Sequence, residues 1–181
     1  MNLWLRVLWL LVTAPFRPRI PAPFGLSVLP FRVWPHDLDT NLHMNNGRYL
    51  TIADLGRTDL LLRMGLVKLV LKEGLQPMLS GSAIRYRREL KPFQAFRVES
   101  CILGWRGTSF IMQHRFVVKG KDGQDQTAAL ALVRGGLYDK KARMFVGAQR
   151  LARAVGYEGD SPEITPDLEA FLAVEDGLRR R

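Results

Sequence analysis

The chain has 181 residues, 47% of them hydrophobic, which suffices for one domain with a real core and excludes a disordered chain. Its single cysteine, Cys101, excludes an internal disulfide and a cysteine-based zinc cluster, and it suits a reducing compartment. The net charge of +10 predicts attraction to polyanions, but no zinc-finger, basic-zipper or RNA-binding signature accompanies it, so we expect no nucleic-acid partner.

An apolar run at residues 3–14 opens the chain. It ends at Pro15, well short of the ~20 residues that a transmembrane helix needs. A secretory signal is also disfavoured, because few basic residues precede the run and prolines follow Ala14, where cleavage would be expected. We therefore expect a cytoplasmic protein.

The same run predicts a helix on which Asn2, Arg6 and Thr13 fall roughly along one stripe. Two tryptophans and several leucines cover its remaining surface, and Arg17 and Arg19 follow it. This pattern is typical of an interfacial helix lying on the inner face of an anionic membrane. A helix docked on the protein's own domain or on a partner subunit fits it equally well, and an uncleaved signal anchor is a third interpretation.

A stiff connector follows the helix, because it contains the four prolines Pro15, Pro18, Pro21 and Pro23. We divide the chain there into an N-terminal helix with its connector (1–23), a central domain (24–140) and a helical C-terminal extension (141–181). At the start of the central domain, a loose alternation of apolar residues predicts a first strand at residues 26–34.

The pattern then turns helical over residues 47–64. One row of this helix consists of Tyr49, Ala53, Gly56, Leu60 and Met64. A helix this apolar is normally buried, and the small residues in the row would let a sheet approach closely. Asn45 or Asn46 is its natural N-cap, and a short helix at 67–72 is expected to end at Gly74.

Four further segments have the composition of strands, at residues 78–90, 94–105, 108–119 and 125–138. The short turn signals between them predict hairpin neighbours, that is, a four-strand antiparallel meander. On the third of these strands, His114 shares a face with apolar residues, which favours a hydrogen-bonded core histidine over a catalytic one. Helices are predicted at 147–155 and from Thr165-Pro166 onward.

The run from Asp37 to Tyr49 carries the chemistry. It reads Asp-Leu-Asp-Thr-Asn-Leu-His-Met-Asn-Asn-Gly-Arg-Tyr and leads directly into the predicted central helix. A carboxylate just before a helix N-terminus places a nucleophile or base beside backbone N–H groups that attract negative charge. These are the polar groups that an acyl-transfer site needs.

The pattern Asp-x-Asp-x-x-x-His-x-Asn-Asn-x-x-Tyr, which starts at Asp37, resembles that of the hotdog-fold thioesterases of the 4-hydroxybenzoyl-CoA thioesterase type. Within that superfamily the sequence is most similar to the subgroup of thioesterase superfamily member six and its bacterial relatives. The shared text also includes Ala53-Asp54 and Leu103-Gly104-Trp105, and the resemblance covers roughly Phe24 to Asp139.

The resemblance implies an α+β hotdog fold, a curved antiparallel sheet wrapped around a long central helix, with extra N- and C-terminal helices here. It also implies a homodimer or dimer of dimers with acyl-CoA sites at the interface. In the best-understood branch of the family, the residue matching Asp39 is the catalytic carboxylate, and a backbone amide near Asn46 or Gly47 polarises the thioester carbonyl. The sequence departs from the family at Leu42, which replaces a glycine, and in its His-x-Asn-Asn run, which replaces an aromatic segment.

Other polar residues allow both a structural and a functional interpretation. Asp37 is interpreted as a turn or cap residue. Asp54 is an alternative catalytic carboxylate, because other hotdog branches carry theirs on the central helix, or else the ion-pair partner of Arg57. Candidate substrate-binding residues are His43, Asn45, Tyr49, Arg85, Arg87 and Arg88. The arginines are candidates because their forked guanidinium groups match the geometry of coenzyme A phosphates. As structural alternatives, the histidine would hydrogen-bond within the loop, the asparagine would cap the helix, and the arginines would lie on a solvated strand face.

The sequence therefore predicts an acyl-CoA thioesterase that uses Asp39 as nucleophile or general base and helix-start amides as the oxyanion site. Coenzyme A or a carrier protein would be part of the substrate. No metal and no cofactor are expected, because the three histidines lack nearby acids at ligand spacing. The alternative is a catalytically inactive hotdog protein that binds acyl ligands or a membrane partner.

Overall fold

Residues 2–180, which the computed structural model describes, form one antiparallel sheet and five α-helices. In chain order the elements are α1 (Asn2–Thr13), β1 (Ser27–Arg32), α2 (Asn46–Arg63), α3 (Val67–Glu73), β2 (Leu75–Tyr86), β3 (Ala95–Arg106), β4 (Ser109–Lys119), β5 (Asp125–Asp139), β6 (Met144–Phe145), α4 (Ala148–Ala154) and α5 (Pro166–Arg179). Two single-turn 3-10 helices, at Ala14–Phe16 and Pro35–Asp37, flank the first strand.

The strand order is β1-β3-β4-β5-β2, with the short β6 paired to β5. The sheet is curved around α2, and all its pairings are antiparallel. The predicted fold class is therefore confirmed, including the additional N- and C-terminal helices. Most of the predicted helices and strands agree with the observed ones to within a residue or two.

The prediction of a four-strand meander is wrong for β2. The turn at residues 91–92 suggested that β2 pairs with β3, but β2 pairs with β5 at the opposite edge. Leu90 is buried and its carbonyl accepts a hydrogen bond from the Met44 N–H (2.9 Å), while the Phe93 N–H donates to the Val33 carbonyl (2.9 Å). The segment after β2 is thus bound to the loop before α2 and to the end of β1, so it crosses between the two edges of the sheet.

The bounds of β2 also differ from the predicted 78–90. Gly74 ends α3 in a left-handed conformation (φ 66°), and the strand starts at the next residue. At the other end, the N–H groups of Arg87 and Arg88 both donate to the Ala128 carbonyl (2.8 and 3.0 Å). This irregularity ends the regular pairing of β2 with β5.

Helix α2 lies in the concave side of the sheet. The predicted row from Tyr49 to Met64 is buried, and the side chain of Asn45 caps the helix by accepting a hydrogen bond from the Gly47 N–H (2.9 Å). The closest approach is at Gly56, where a Cβ atom would lie 2.2 Å from Ser100 Oγ on β3. The sheet can contact α2 at this point because the glycine has no side chain.

Helix α1 is docked on the protein's own domain, one of the arrangements that the sequence allowed. Leu10 is buried against Leu29 and Leu55. Arg6 Nη2 lies 2.6 Å from the buried carboxylate of Asp37. The opposite face of α1 and the following turn are apolar and exposed, with Trp4, Leu5, Leu8, Trp9, Leu11, Val12 and Phe16. Among the described residues, no helix has the length and apolar character needed to cross a bilayer.

The two C-terminal helices cover different parts of the sheet. Leu151 of α4 belongs to the core cluster that includes Trp105 of β3 and Leu60 of α2. Helix α5 packs through Leu168 against Ile111, which lies on the side of β4 facing away from α2. Within the C-terminal extension, α5 therefore shields the outer side of the sheet, whereas α4 packs in the same cluster as α2.

The contact at Gly56 predicts the effect of adding one methyl group there. Gly56→Ala should destabilise the fold by about 1–3 kcal/mol, because the new Cβ would overlap Ser100 Oγ and crowd the ring of His114. Gly177→Ala in α5 is the matched control, since a Cβ there would meet no atom within 4 Å. The control should leave stability unchanged or raise it by up to about 1 kcal/mol. Urea unfolding would compare them, and equal stability of the two variants would contradict the close packing.

Candidate active site

The loop before α2 closes on itself through backbone hydrogen bonds. The Asp39 N–H donates to the His43 carbonyl (2.9 Å), and the Leu42 N–H donates to the Asp39 carbonyl (3.1 Å). The Asn45 N–H donates to the carbonyl of Asp37 (2.8 Å), which brings the two ends of the loop together. The sequence motif is therefore one compact loop that leads directly into the first turn of α2.

Leu42 occupies a left-handed backbone conformation in this loop, with φ 58°. Such a conformation costs an ordinary L-residue free energy that glycine does not pay. Leu42 therefore holds a backbone shape that glycine would adopt more readily. The leucine side chain is 65% exposed and points away from the core.

The carboxylate of Asp39 is half-buried, and its two oxygens differ. Oδ1 accepts hydrogen bonds from the backbone N–H groups of Asn41 (2.8 Å) and His43 (3.3 Å). Oδ2 accepts no hydrogen bond from residues 2–180. Burial raises the pKa of Tyr49, in the first turn of α2, to about 12, and the neighbouring phenol of Tyr86 and the carboxylate of Asp39 raise it further. Asp39 is therefore held through one oxygen, while the other accepts no hydrogen bond within the described chain.

The first amides of α2 differ in the same way. The Gly47 N–H is engaged by Asn45 Oδ1, whereas the N–H of Asn46 has no acceptor within the described chain. Tyr86 donates its hydroxyl hydrogen to the Asn46 carbonyl (3.0 Å), which joins the end of β2 to the helix start. Of the two predicted amide donors, Asn46 is the one that is unoccupied and exposed.

Asp37 has the structural role that the sequence analysis assigned to it. It is fully buried and accepts hydrogen bonds from Arg6 Nη2 (2.6 Å) and from the Trp34 N–H (3.0 Å), and Arg48 Nε lies 3.5 Å away. Arg48 belongs to the first turn of α2, so this buried anion ties the loop to both α1 and α2. No local pattern could indicate Arg6 as its partner, because 31 residues separate the two.

A second buried carboxylate, Asp59, was missed by the sequence analysis. It accepts hydrogen bonds from Arg17 (2.7 Å), Arg63 (3.1 Å) and the Ser27 hydroxyl (2.5 Å). Its position three residues after Gly56, on the buried side of α2, is the signal that could have revealed it. The arginine that follows α1 is thereby held against the middle of the domain.

Of the candidate substrate-binding residues, Tyr49 is buried in the core, Asn45 caps α2, and His43 lies in the loop. His43 Nε2 lies 3.0 Å from a carboxylate oxygen of Glu89, which fits its structural interpretation. Arg85, Arg87 and Arg88 are exposed at and just after the end of β2, and they form no ion pair with residues 2–180. Arg85 follows the strand alternation and points to the side of the sheet opposite Tyr86, which faces α2, while Arg87 and Arg88 lie beyond the strand end.

A separate set of polar side chains, the Arg57 cluster, lies farther along α2 and comprises Asp54, Arg57, Ser100 and His114. Arg57 forms the predicted ion pair with Asp54, and its Nη1 lies 3.4 Å from His114 Nε2. His114 Nδ1 lies 2.8 Å from Ser100 Oγ. Burial, assisted by the charge of Arg57, lowers the pKa of His114 to about 3, so the ring is neutral and serves as a core hydrogen-bonding group.

A mostly apolar cavity of about 320 Å³ lies beside the Arg57 cluster. Its lining combines residues of α2, β2, β5 and α4, among them Leu61, Met78, Leu137 and Leu151. Asp54 and Arg57 contribute its charged groups, and Asp39 does not line it. The chain thus has two distinct features along one helix: a polar loop at its start and an apolar cavity beside its second half.

Comparison with known proteins identifies the family to which the sequence is similar. The sequence model described as the thioesterase-like superfamily matches residues 33–172. The protein THEM6 of Xenopus laevis is 39% identical over 90 residues, which are 50% of this chain and 44% of that protein. THEM6 of Danio rerio is 34% identical over 116 residues, 64% and 57% of the two chains. The chain thus spans about half the length of these curated relatives.

Solved structures agree with the fold. The probable thioesterase YbaW of Escherichia coli superposes with a TM-score of 0.64 at 22% identity, covering 71% of this chain and 94% of that one. A mutant of 4-hydroxybenzoyl-CoA thioesterase in complex with 4-hydroxybenzoyl-CoA gives a TM-score of 0.65 at 15% identity, covering 72% and 97%. The hotdog architecture is therefore shared with both.

Proposed function

The chain belongs to the thioesterase-like superfamily, as the resemblance predicted, and on this basis we propose that it hydrolyses an acyl thioester of coenzyme A or of a carrier protein. Asp39 supplies the carboxylate, and the Asn46 amide polarises the thioester carbonyl. The observation that supports this assignment is the open Oδ2 of Asp39 in the loop that immediately precedes an unoccupied helix-start amide.

The chemistry of a thioester requires both groups. Attack on the carbonyl carbon moves negative charge onto the carbonyl oxygen, and a preorganised donor aimed at that oxygen is worth roughly 3–4 kcal/mol. The N-terminus of the 18-residue helix α2 adds its positive end to the Asn46 N–H. The helix start therefore suits the developing oxyanion.

Asp39 can act by two routes. In the first, Oδ2 attacks the carbonyl carbon, the carbon–sulfur bond breaks with release of the thiolate, and water then hydrolyses the acyl–aspartyl anhydride. In the second, the carboxylate takes a proton from a water molecule that attacks directly. Either route requires the Asp39 carboxylate to be held in place, which its hydrogen bonds to the Asn41 and His43 amides achieve.

Near the helix start, several exposed arginines could bind the phosphates of the thiol component of the substrate. Arg85, Arg87 and Arg88 are exposed and unpaired within the described chain, and Tyr86, which lies among them, contacts Asn46. We assign these arginines to the phosphates of coenzyme A or of a carrier's prosthetic group. Strand β2 pairs with β5 along one edge only, so its other edge is the place for a second copy in a homodimer.

We also propose peripheral membrane contact through the exposed apolar face of α1. Trp4 is 78% exposed and Leu8 58% exposed, although α1 is anchored to the domain by Arg6 and Leu10 on its other side. An apolar helix face rich in tryptophan and leucine is favoured at the boundary between headgroups and acyl chains. The basic charge of the protein would assist binding to anionic lipid.

Replacing the proposed catalytic carboxylate tests the hydrolase assignment. Asp39→Asn retains an oxygen that can accept the Asn41 and His43 N–H bonds, so the loop should keep its shape. We expect kcat to fall by at least ~10²-fold on a panel of acyl-CoA thioesters, because the amide is neither nucleophile nor base. Thermal unfolding checks that the variant is folded.

Asp54→Asn is the matched control, because it makes the same change in the other candidate carboxylate. It should retain most of the turnover, since Asp54 pairs with Arg57 away from the helix start. Loss of turnover in Asp54→Asn together with normal turnover in Asp39→Asn would transfer the catalytic role to Asp54. Tight acyl-CoA binding without turnover by the unmodified protein would support the inactive binding protein instead.

The membrane proposal predicts a change in vesicle binding without loss of the fold. A triple variant, Trp4→Gln, Leu8→Gln and Val12→Gln, should bind phosphatidylserine-containing vesicles at least about tenfold more weakly, because each side chain loses favourable apolar burial. A triple variant of equally exposed apolar residues elsewhere, Leu71→Gln, Val174→Gln and Leu178→Gln, is the control. Equal vesicle binding by the two variants in a sedimentation assay would reject contact through α1.

A further inference from the structure

The cavity beside the second half of α2 is not explained by the chemistry at Asp39. We propose that it receives the distal end of a long, unbranched hydrocarbon chain whose thioester lies at the start of α2. The inference rests on the proposed function, because that function places the thioester at Asn46. It adds the class of acyl group that the site would select.

One face of α2 connects the two features. Gly47, Thr51, Asp54, Thr58 and Leu61 follow one another at spacings of four and three residues, which places them along a single stripe of the helix. None of the five is buried, whereas the row from Tyr49 to Met64 is buried in the core. The last three members of the stripe line the cavity. This stripe therefore joins the helix start to the cavity along a side of α2 that is not buried.

The length of this stripe sets the length of the ligand. At a rise of 1.5 Å per residue, Asp54 lies about 10 Å along the axis from Gly47, and Leu61 lies about 21 Å from it. An extended chain advances about 1.2 Å per bond, the spacing found in extended polypeptide. A chain of roughly nine bonds therefore reaches the mouth of the cavity, and one of roughly eighteen bonds extends as far as Leu61. Shorter acyl groups would end before the cavity.

The lining suits hydrocarbon. Its side chains include Met64, Met78, Leu79, Ile102, Phe110 and Leu151. Methionine side chains adapt to irregular shapes, so they tolerate a flexible chain. Each methylene group that enters the cavity from water is favourable by the hydrophobic effect.

The charged groups at the cavity argue against an acyl group with an anionic end. Arg57 is paired with Asp54 on one side and contacts the neutral ring of His114 on the other. The second ring nitrogen of His114 is hydrogen-bonded to the Ser100 hydroxyl. The guanidinium charge is therefore already matched. A carboxylate at the end of the acyl chain would have to displace Asp54, whereas a methyl end leaves the Arg57 cluster intact.

The test measures binding rather than turnover, so that it stands apart from the hydrolysis assay. The probes are non-hydrolysable S-(2-oxoalkyl) derivatives of coenzyme A with a six-carbon or a sixteen-carbon chain, titrated by calorimetry. The wild-type protein should bind the long analogue at least about tenfold more tightly than the short one, because only the long chain enters the cavity. Leu61→Trp, which fills the cavity, should remove most of this difference and leave the short analogue unaffected.

Leu71→Trp is the control, because Leu71 is 75% exposed on α3 and does not line the cavity. It should retain the chain-length difference. Met78→Trp narrows the cavity from the opposite wall and replaces Leu61→Trp if that variant fails to fold. Equal wild-type affinity for both analogues, as expected if a second copy of the chain closes the cavity, would overturn the inference. A chain-length difference without hydrolysis of any thioester would retain it and reject the proposed function.

Discussion

The position of α2 against the sheet depends on the missing side chain at Gly56. Ser100 and His114 occupy the space where a Cβ and its neighbours would otherwise lie, and the neutral imidazole then reaches Arg57 on the outer side of the helix. This contact fixes how deeply α2 sits in the curved sheet. The height of the helix in turn determines where its first amide, at Asn46, emerges beside the acid-containing loop.

Two buried carboxylates hold the remaining parts of the site together. Asp37 joins the loop to α1 through Arg6, and Asp59 joins the connector after α1 to the middle of α2 through Arg17. Removing either arginine would leave a buried carboxylate with fewer compensating partners, which is costly in a low-dielectric interior. The N-terminal helix is therefore part of the structure that shapes the loop carrying Asp39, even though the family match begins only at residue 33.

Local patterns in the sequence predicted the helices and strands well. They could not predict pairings between residues that are distant in the sequence. The apolar row of α2, its Asn45 cap and the core role of His114 follow from spacing and from neighbouring residue types, so they could be predicted. The placement of β2 beside β5 could not, because the segment that includes Leu90 forms bonds to the loop before α2 rather than a hairpin turn. For the site, the motif indicated Asp39 and the helix start, but only the structure showed that the Gly47 amide is already engaged and that a cavity lies farther along the same helix.

The two ends of α2 have different proposed tasks: reaction at its start and recognition of hydrocarbon along its second half. The most direct test of the reactive end is a crystal structure of the protein with an S-(2-oxoalkyl) derivative of coenzyme A, whose ketone takes the place of the thioester carbonyl. The account predicts the ketone oxygen about 3 Å from the Asn46 amide nitrogen and the ketone carbon about 3–3.5 Å from Asp39 Oδ2. A ketone bound beside Asp54, with Asp39 facing only its own loop, would contradict it.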